Sequence, residues 1–423
     1  MMADKLLKHL FDAAVAAADP IQVIEHYMPP RPKGRTAVVG FGKAAAQMAQ
    51  ALEVHWLENE SEPLSGLVIT RYGHAVPCRH IEVIEAAHPV PDVRGEEAAR
   101  RILKCAEDLK EGDLLVCLVS GGGSALCVLP VPEITLSEKQ AVNDALLKSG
   151  ANIAEINCIR KHLSAIKGGR LSAAAYPASV VTLAISDVPG DDPSVIASGP
   201  TVADPTTFTD ALDIANRYQL ALPESVRRYL EAGIEESLKP DDERLKRSSY
   251  RVIATPGLSL DAAAQAARKQ GVHPIILGDA IEGDAEDIGR QHAAKAIEAI
   301  NVANKLPCVL LSSGETTVMV RGSGRGGRNG HYLLALSVAL KGHAQISAIA
   351  CDTDGIDGTE DNAGAIIRSD TLDRARNMGL DAELFLVQND SYGFFATLGD
   401  LVITGPTHTN VNDFRAILIE SLN

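Results

Sequence analysis

The feature that most constrains the fold is an alternation of short continuous apolar runs with segments of helical periodicity along the chain. In the first half the apolar runs lie at residues 36–40, 66–70, 114–119 and 180–185, and helical patterns lie between them, as at 44–57 and 95–109. Continuous apolar runs are typical of strands that are buried on both faces of a parallel sheet. The pattern predicts a doubly wound α/β domain.

A second domain is predicted beyond a change in composition. Residues 222–249 contain two prolines and a dense charged run, which is typical of a passage between domains. Beyond this passage we predict strands at 252–255, 273–277, 307–311, 316–320, 346–350 and 401–404, and helices at 261–270, 285–303, 329–340 and from Asn412 onward. We therefore expect two α/β domains, at 1–240 and 250–423, with a cleft between them.

Composition argues against several classes of function. Forty Lys and Arg residues against 55 Asp and Glu residues give a net charge of −15, which disfavours nucleic acid and membrane surfaces as partners. The seven cysteines are scattered without a CxxC pair, which favours a reducing, cytoplasmic location and disfavours structural zinc. An anionic ligand would need a locally built positive site.

The first loop of chemical interest is Gly40-Phe41-Gly42-Lys43. A strand ends in two glycines, and a lysine then opens an alanine-rich helix, where backbone N–H groups favour anions. The loop is neither a P-loop nor a complete GxGxxG fingerprint, since Ala45 stands at the third glycine position. It predicts either a lysine for a phosphate or oxyanion, or an ordinary turn with a solvated lysine.

The second loop is Ser120-Gly121-Gly122-Gly123-Ser124, directly after the apolar run 114–119. Three consecutive glycines carry a high conformational entropy cost on folding, which is uncommon in a mere turn. At the carboxyl end of a strand, they indicate an anion-binding nest; a flexible surface turn is the alternative.

Positive charges gather shortly afterwards, at residues 160, 161, 167 and 170. Arg160 and Lys167 are seven residues apart and would share a helix face if the helix continues that far. A solvated helix face and an anion-binding face both explain the pattern.

Two acidic loops are candidates for Mg²⁺, because hard cations prefer carboxylates. Asp187, Asp191 and Asp192 follow the run 180–185, and Asp352, Asp354 and Asp357 follow 346–350. The second loop is not an EF-hand, because Ala363 occupies the position of the twelfth-residue glutamate. Both loops are also compatible with ordinary turns.

The last candidate loop combines glycines with arginines. Four glycines and three arginines lie within residues 321–328, followed by Asn329, and Glu315 precedes the loop. Guanidinium groups match phosphate oxygens with paired donors, so the loop is predicted to wrap a polyphosphate; a disordered basic loop is the alternative.

Taken together, the loops are similar to those of the class II glycerate kinases, the glycerate 2-kinase family with a C-terminal MOFRL domain. The matching segments are 40–44, 87–92, 120–126, 186–201, 312–315, 324–329, 352–358 and 405–410. The resemblance implies ATP-dependent phosphorylation of D-glycerate to 2-phosphoglycerate, with Mg²⁺. It also implies a Rossmann-like N-terminal domain, a smaller α/β domain that contains the MOFRL region at about 305–415, and an active site in the interdomain cleft.

We assign candidate roles on this basis. The catalytic candidates are Lys43 and Arg328. The ATP-binding candidates are Gly40, Gly42, Ser120, Gly121, Gly122, Gly123, Ser124, Gly324, Gly326, Gly327 and Asn329. The substrate-binding candidates are His88, Arg160, Ser198, Glu315 and Asp354, and the Mg²⁺ candidates are Asp187, Asp191 and Asp352. One departure is Gly330-His331, where family members commonly have Gln-Glu.

Two other functions stay open. Some family members carry the name hydroxypyruvate reductase, which would use NAD(P)H. An NAD site of this kind needs a GxGxxG loop after a strand and an acidic residue about 20 positions later, and the sequence does not show this combination. A non-catalytic regulator that binds a sugar acid or a nucleotide is the third reading. For the kinase, the expected partner is a small hydroxy acid, and a homodimer is compatible with the sequence.

Overall fold

The computed structural model describes residues 2–57, 64–302 and 306–421. The chain forms two compact units. Residues 20–253 form the N-terminal unit, and the described parts of 1–19 and 254–423 form the C-terminal unit. Within the described residues, no helix is both long and apolar enough to cross a membrane.

The N-terminal unit is built on a six-stranded sheet in the order β3-β2-β1-β4-β5-β6. The strands are β1 (Thr36–Phe41), β2 (Ser65–Arg71), β3 (Ile81–Ala86), β4 (Leu114–Val119), β5 (Ser179–Ile185) and β6 (Ser248–Ala254). The pairs among β1 to β5 are parallel, and the order is that of Rossmann folds. The predicted doubly wound sheet is confirmed, although β3 was not predicted.

The helices of this unit are α2 (Pro20–Val23), α3 (Ala45–Leu57), α4 (Val93–Glu107), α5 (Gly123–Leu126), α6 (Leu136–Ser149), α7 (Ile153–His162), α8 (Arg170–Ala175), α9 (Phe208–Arg217) and α10 (Glu224–Ala232). Helices α3, α4 and α8 pack against the sheet, whereas α6, α7, α9 and α10 form an apolar cluster of their own. Both β1 and β4 are buried at all six positions, which explains their continuous apolar sequences. The direction of strand order changes between β1 and β4, and the ligand site of such sheets lies at the carboxyl ends of those strands.

The helix α7 ends earlier than the charge pattern suggested. It ends at His162, and Ser164 forms an isolated antiparallel bridge with Pro130. The helix does not continue to Lys167, so the condition under which Arg160 and Lys167 would share a helix face is not met. They lie on a helix and on the connection to α8.

The C-terminal unit has a second six-stranded sheet, in the order β13-β12-β11-β14-β9-β7. The sheet strands are β7 (His273–Gly278), β9 (Cys308–Gly314), β11 (Ile346–Asp352), β12 (Gly364–Ile367), β13 (Leu401–Val402) and β14 (Asp413–Ile419), and β8 (Gly283–Asp284) pairs separately with β10 (Thr316–Thr317). Only the β7–β9 pair of the sheet is parallel, whereas the other four pairs are antiparallel. The strand predicted at 316–320 is shorter in the structure, where β10 contains only Thr316 and Thr317.

The helix predicted from Asn412 onward is wrong, because this segment is the interior strand β14. All seven of its residues are buried. Phe414, Ala416 and Leu418 pack into one apolar cluster, whereas Ile417 and Ile419 pack into another. Both faces of the strand are buried and carry apolar residues, so the sequence does not show the two-residue period of a half-buried strand.

The first helix of the chain belongs to the C-terminal unit. The helices there are α1 (Met2–Ala16), α11 (Pro256–Lys269), α12 (Ala285–Val302), α13 (Arg328–Leu340), α14 (Thr371–Asn377), α15 (Ala382–Val387) and α16 (Ser391–Leu398). Leu7, Leu10 and Phe11 of α1 share an apolar cluster with Leu260 and Val309. The compact units thus differ from the predicted domains 1–240 and 250–423, and residues 222–249 are not a linker, since they contain α10 and the start of β6.

Candidate functional site

The loops after β1 and β4 of the N-terminal unit are bound to each other. The Lys43 N–H donates to the Gly121 carbonyl at 2.8 Å, and the Ala44 N–H donates to Ser120 Oγ at 3.0 Å. A Cβ atom at Gly42 would lie 2.2 Å from Ser120 Oγ. Close packing of the two loops therefore accounts for Gly42, and a bound nucleotide is not needed to explain it.

The same close approach accounts for Gly40. A Cβ atom there would lie 2.7 Å from the Leu118 carbonyl oxygen. The ATP-binding role of Gly40 and Gly42 stays a prediction, with packing as its competing explanation. The packing of the two loops fixes the backbone of Lys43 beside the glycine loop.

A pocket of about 510 Å³ lies beside the glycine loop. Its lining includes His88, Gly122, Ser124, Arg160 and Lys167, all of which were singled out by the sequence. The volume is within the range of small-molecule sites, roughly 300–1,000 Å³. The structure thus brings together one side of the predicted site.

Gly122 is the glycine of this loop that lines the pocket. It has φ +80°, and a Cβ atom there would lie 3.0 Å from His88 Nε2 and 3.5 Å from Lys43 Cγ. Lys43 and His88 are therefore neighbours across Gly122. Gly121 and Gly122 donate no backbone hydrogen bond to another described residue, and backbone N–H groups without an acceptor suit an anion.

Ser198 lies in a strained segment and contacts Ser124, which lines the pocket. Ala197 and Ser198 have φ of +50° and +62°, a conformation that costs about 1 kcal/mol or more for a non-glycine residue. The Ser198 hydroxyl lies 2.8 Å from the Ser124 hydroxyl and donates to Asn157 Oδ1 at 3.0 Å. Strain of this kind is commonly retained at functional sites.

The cations at 160, 161, 167 and 170 divide into two roles. Lys161 forms a buried ion pair with Asp204 at 3.4 Å, and Arg170 donates to the Glu235 carbonyl at 2.8 Å. These two residues stabilise the fold. Arg160 and Lys167 instead line the pocket.

Sequence reasoning missed a further cation of the pocket, Lys139. The sequence carried an indication of this position, because Lys139 stands at helical spacing from Val142 and Leu146, and these three are the buried residues of α6. A lysine on the same helix face as apolar residues is unusual, since lysine is rarely buried without a reason.

The acidic loop after β5 contains one residue that fits a cation. Asp191 has φ +54°, and its Oδ1 is buried without a hydrogen-bond partner. The neighbouring Asp192 accepts the Ser194 N–H at 2.8 Å, as in an ordinary turn. Asp187 lies at the start of the same loop. Across the described ranges, no group of three or more His, Cys, Asp or Glu side chains is arranged to hold a metal ion.

In the C-terminal unit, Arg328 is surrounded by three carboxylates. Its Nε donates to Asp413 at 2.8 Å, its Nη1 to Glu315 at 2.7 Å and its Nη2 to Asp352 at 2.8 Å. Burial alone would lower the pKa of Arg328, but the three carboxylates raise it above its ordinary value. Arg328 is therefore a positioned and permanently charged group.

Asp352 makes two hydrogen bonds that bear on its predicted role as a Mg²⁺ ligand. One Asp352 oxygen accepts from Arg328, and the other accepts the Asp354 N–H at 3.0 Å. Each oxygen therefore already accepts one hydrogen bond, and the role of Asp352 as a Mg²⁺ ligand stays a prediction. Asp354 in turn accepts the Ile356 N–H at 2.9 Å, as a turn residue does.

A second buried acid organises the start of α13. Asp357 accepts the backbone N–H groups of Asn329 and Gly330 at 2.9 and 2.8 Å. The Asn329 side chain donates to Asp413 at 2.7 Å. Burial raises the pKa of Asp357 to about 6 despite these bonds. Asn329 thus has a role in fixing the loop.

The glycines before Arg328 pack against the unit itself. Cβ atoms at Gly324, Gly326 and Gly327 would lie 2.2–2.4 Å from atoms of Asp390, Ser391 and Asp357. The exposed Arg325 pairs with Glu360 and stacks 4.6 Å from the Tyr392 ring centre. The loop is therefore ordered by its own contacts, and a role of these glycines and Asn329 toward phosphate stays a prediction.

Comparison with known proteins agrees with this architecture. Residues 6–231 match a domain of unknown function, DUF4147, and residues 308–413 match the MOFRL family. A protein of Agrobacterium vitis with the name "Putative hydroxypyruvate reductase" is 53% identical over 99% of this chain and 94% of its own length. The D-glycerate 2-kinase of Thermotoga maritima is 37% identical over 98% of both chains.

Among solved structures, a glycerate kinase from Thermotoga maritima superposes with a TM-score of 0.90, at 37% identity and over 99% of both chains. The fold and loops define a two-unit α/β protein with a Rossmann-like sheet. The chain belongs to the class II glycerate kinase family, which carries a MOFRL domain. The family resemblance seen in the sequence is thus confirmed.

Proposed function

We propose that this protein transfers the γ-phosphoryl group of ATP to the 2-hydroxyl group of D-glycerate, forming 2-phosphoglycerate and ADP. The observation that carries this proposal is the similarity over both entire chains to the D-glycerate 2-kinase of Thermotoga maritima. The pocket supports it, because it offers cations and backbone N–H groups to an anionic ligand in a chain of net charge −15.

Lys43 and the glycine loop fit the needs of phosphoryl transfer. That reaction depends on positioning and on neutralising charge, more than on a covalent nucleophile. The backbone of Gly121 and Gly122 would bind phosphate oxygens, and the Lys43 ammonium would neutralise charge that develops on the transferred group. His88, adjacent to Gly122, would contact the hydroxy acid.

Mg²⁺ is proposed to enter with ATP, whose β- and γ-oxygens it neutralises. Asp191, which has an unpartnered buried oxygen, and Asp187 are the residues we propose to hold it. Asp352 is a weaker candidate, because its oxygens already accept hydrogen bonds from Arg328 and from the Asp354 N–H. The test is activity in excess chelator: full turnover there would rule out the metal, whereas loss and recovery on adding Mg²⁺ would support it.

Arg328 is proposed to stabilise the transferring phosphoryl group. Three carboxylates hold its guanidinium, and two of its five N–H donors remain for phosphoryl oxygens. Glu315 is the most exposed partner, at 54% of its side chain against 7% for Asp352. A phosphoryl oxygen would replace the Glu315 contact most readily, because that contact is the most exposed to water of the three.

The second candidate function is NAD(P)H-dependent reduction of hydroxypyruvate. It is favoured by the name of the Agrobacterium vitis relative and by the Rossmann strand order. Against it, the close packing of Gly40 and Gly42 already explains both glycines. In addition, β2 ends at Arg71 and not at the acid that binds the ribose of NAD.

Two assays on the purified protein separate these functions. The kinase proposal expects ADP release that requires both D-glycerate and ATP, and no NADH or NADPH oxidation with hydroxypyruvate. Oxidation of either cofactor without ADP release would replace the kinase with the reductase. Absence of both activities, with ligand binding retained, would favour the non-catalytic regulator.

A further inference from the structure

Three positively charged side chains line the pocket of the N-terminal unit without a carboxylate partner among the described residues. They are Lys139, Arg160 and Lys167. Lys139 and Lys167 are only 3% and 1% exposed. Lys139 binds neutral atoms at the end of α7, the carbonyl oxygens of Leu163 at 2.8 Å and Arg160 at 3.3 Å.

The other two cations retain unused donors. Lys167 Nζ donates to the Ala197 carbonyl at 3.1 Å, and an ammonium has three donors. Arg160 donates its Nε to Asn143 Oδ1 at 3.1 Å, which leaves its terminal amino groups. In the part of the chain that the structure describes, these remaining N–H groups have no acceptor.

A nearby cation shows how the same unit neutralises a buried positive charge elsewhere. Lys161 lies between these cations in sequence, and Asp204 pairs with it at 3.4 Å with side chains 6% and 0% exposed. Removal of a buried charge from water is unfavourable unless a partner compensates it. Among the described residues, the one acid in the lining of this pocket is Asp144, and it pairs with Lys148 at 2.9 Å.

The titration of the cluster agrees with a missing anion. Burial lowers the pKa of Lys167 to about 8, with Cys127 opposing this shift and Arg160 adding to it. Burial, followed by the charges of Lys167 and Arg160, lowers the pKa of Lys139 well below its ordinary value. A bound anion would favour the charged forms of both lysines and raise the pKa of each again.

We propose that Lys167 and Arg160, supported by Lys139, bind the carboxylate of the hydroxy-acid substrate. The identity of that acid rests on the proposed function. A guanidinium and an ammonium match a carboxylate in charge and donor geometry. Gly122 lines the same pocket, and its backbone N–H would bind a phosphate oxygen. The carboxylate of the acid and the phosphate of the nucleotide would therefore bind to different donor groups.

The test measures the rise in melting temperature caused by D-glycerate, by uncharged glycerol and by ADP. The variants are Lys167→Met and, as a matched control, Lys246→Met, whose lysine is 67% exposed and paired with Glu243. We expect D-glycerate, but not glycerol, to stabilise the parent and the control. Lys167→Met should bind D-glycerate roughly tenfold more weakly or worse, with its ADP response unchanged.

A separate readout distinguishes binding from a structural role. Methionine replaces an unpaired buried charge with an apolar side chain of similar length, so Lys167→Met without ligand should melt at the parental temperature or above it. If Lys167→Met does not fold, Arg160→Gln takes its place, with the same loss of D-glycerate affinity expected.

Three results would overturn the proposal. These are parental D-glycerate affinity in folded variants, loss of the ADP response with D-glycerate binding retained, and a parent that D-glycerate does not stabilise. The second result would assign the cations to the nucleotide phosphates. If D-glycerate binds as expected but ADP is never released, the kinase function fails and the carboxylate site stands.

Discussion

Asp413 Oδ1 accepts a hydrogen bond from Arg328 Nε at 2.8 Å, and the other oxygen of the same carboxylate pairs with the buried Arg415. Asp413 and Arg415 are 0% and 1% exposed. One buried carboxylate at the start of β14 therefore holds two arginines. The position of the catalytic candidate Arg328 depends on a residue 85 positions away in sequence.

This arrangement predicts a stability effect for Asp413→Asn. The amide removes the negative charge that compensates Arg415, so the free energy of unfolding in urea should fall by roughly 3 kcal/mol. The matched control is Asp373→Asn, which breaks an exposed pair with Arg376 and should change stability by less than about 1 kcal/mol. Equal, small effects of both substitutions would contradict the importance of the buried network.

Arg328→Lys tests the planar guanidinium. Lysine keeps the charge but loses the three-way donor geometry that Glu315, Asp352 and Asp413 bind. We expect kcat to fall about tenfold or more, measured as glycerate-dependent ADP release. Arg376→Lys, on an exposed arginine of the same unit, should be as active as the parent. Parental kcat in Arg328→Lys would leave Arg328 with a purely structural role.

Lys43→Met removes the ammonium beside the glycine loop and keeps most of the side-chain length. The loss of one preorganised charge contact should lower kcat by about 10²-fold or more. The melting temperature should be nearly unchanged, because the loop bond to Gly121 uses the Lys43 backbone N–H. Lys104→Met, on the exposed surface of α4, is the control. A folded Lys43→Met protein with parental kcat would refute the role.

The binding of D-glycerate should depend on pH. The pKa of Lys167 is lowered to about 8 by burial, with Arg160 and Lys139 as its charged neighbours and Cys127 beside it. Only the protonated lysine attracts a carboxylate, so affinity should fall as pH rises above about 8, and binding there should take up a proton. Calorimetry in buffers of different ionisation enthalpy measures this uptake. Affinity that is constant from pH 7 to pH 10 would exclude Lys167 from the carboxylate site.

The sequence predicted the N-terminal sheet and its loops well, for a physical reason. Strands such as β1 and β4 are buried on both faces, so their apolar runs and the glycines at their ends stand out. Strand β14 is also buried on both faces, but the charged residues Asp413 and Arg415 interrupt its apolar run, and they pair with each other inside the protein. Propensity and period carry no information about that pairing.

The candidate site shows the same limit. The sequence located Lys43, Gly122, His88 and Lys167, which the structure places at or beside one pocket. It could not show that Asp352 pairs with Arg328, since carboxylates both pair with arginines and bind metal ions. It also could not separate glycines needed for packing, such as Gly42 and Gly327, from glycines needed by a ligand.

The measurement that tests the central claim most directly identifies the product formed from D-glycerate and ATP. Phosphorus NMR of the reaction mixture distinguishes an ester at the 2-hydroxyl from one at the 3-hydroxyl, and it follows ADP in the same sample. The account predicts 2-phosphoglycerate and ADP in equal amounts, with none formed when D-glycerate or ATP is omitted. A reaction mixture in which ATP stays intact, or in which ADP appears without a phosphorylated glycerate, would contradict it.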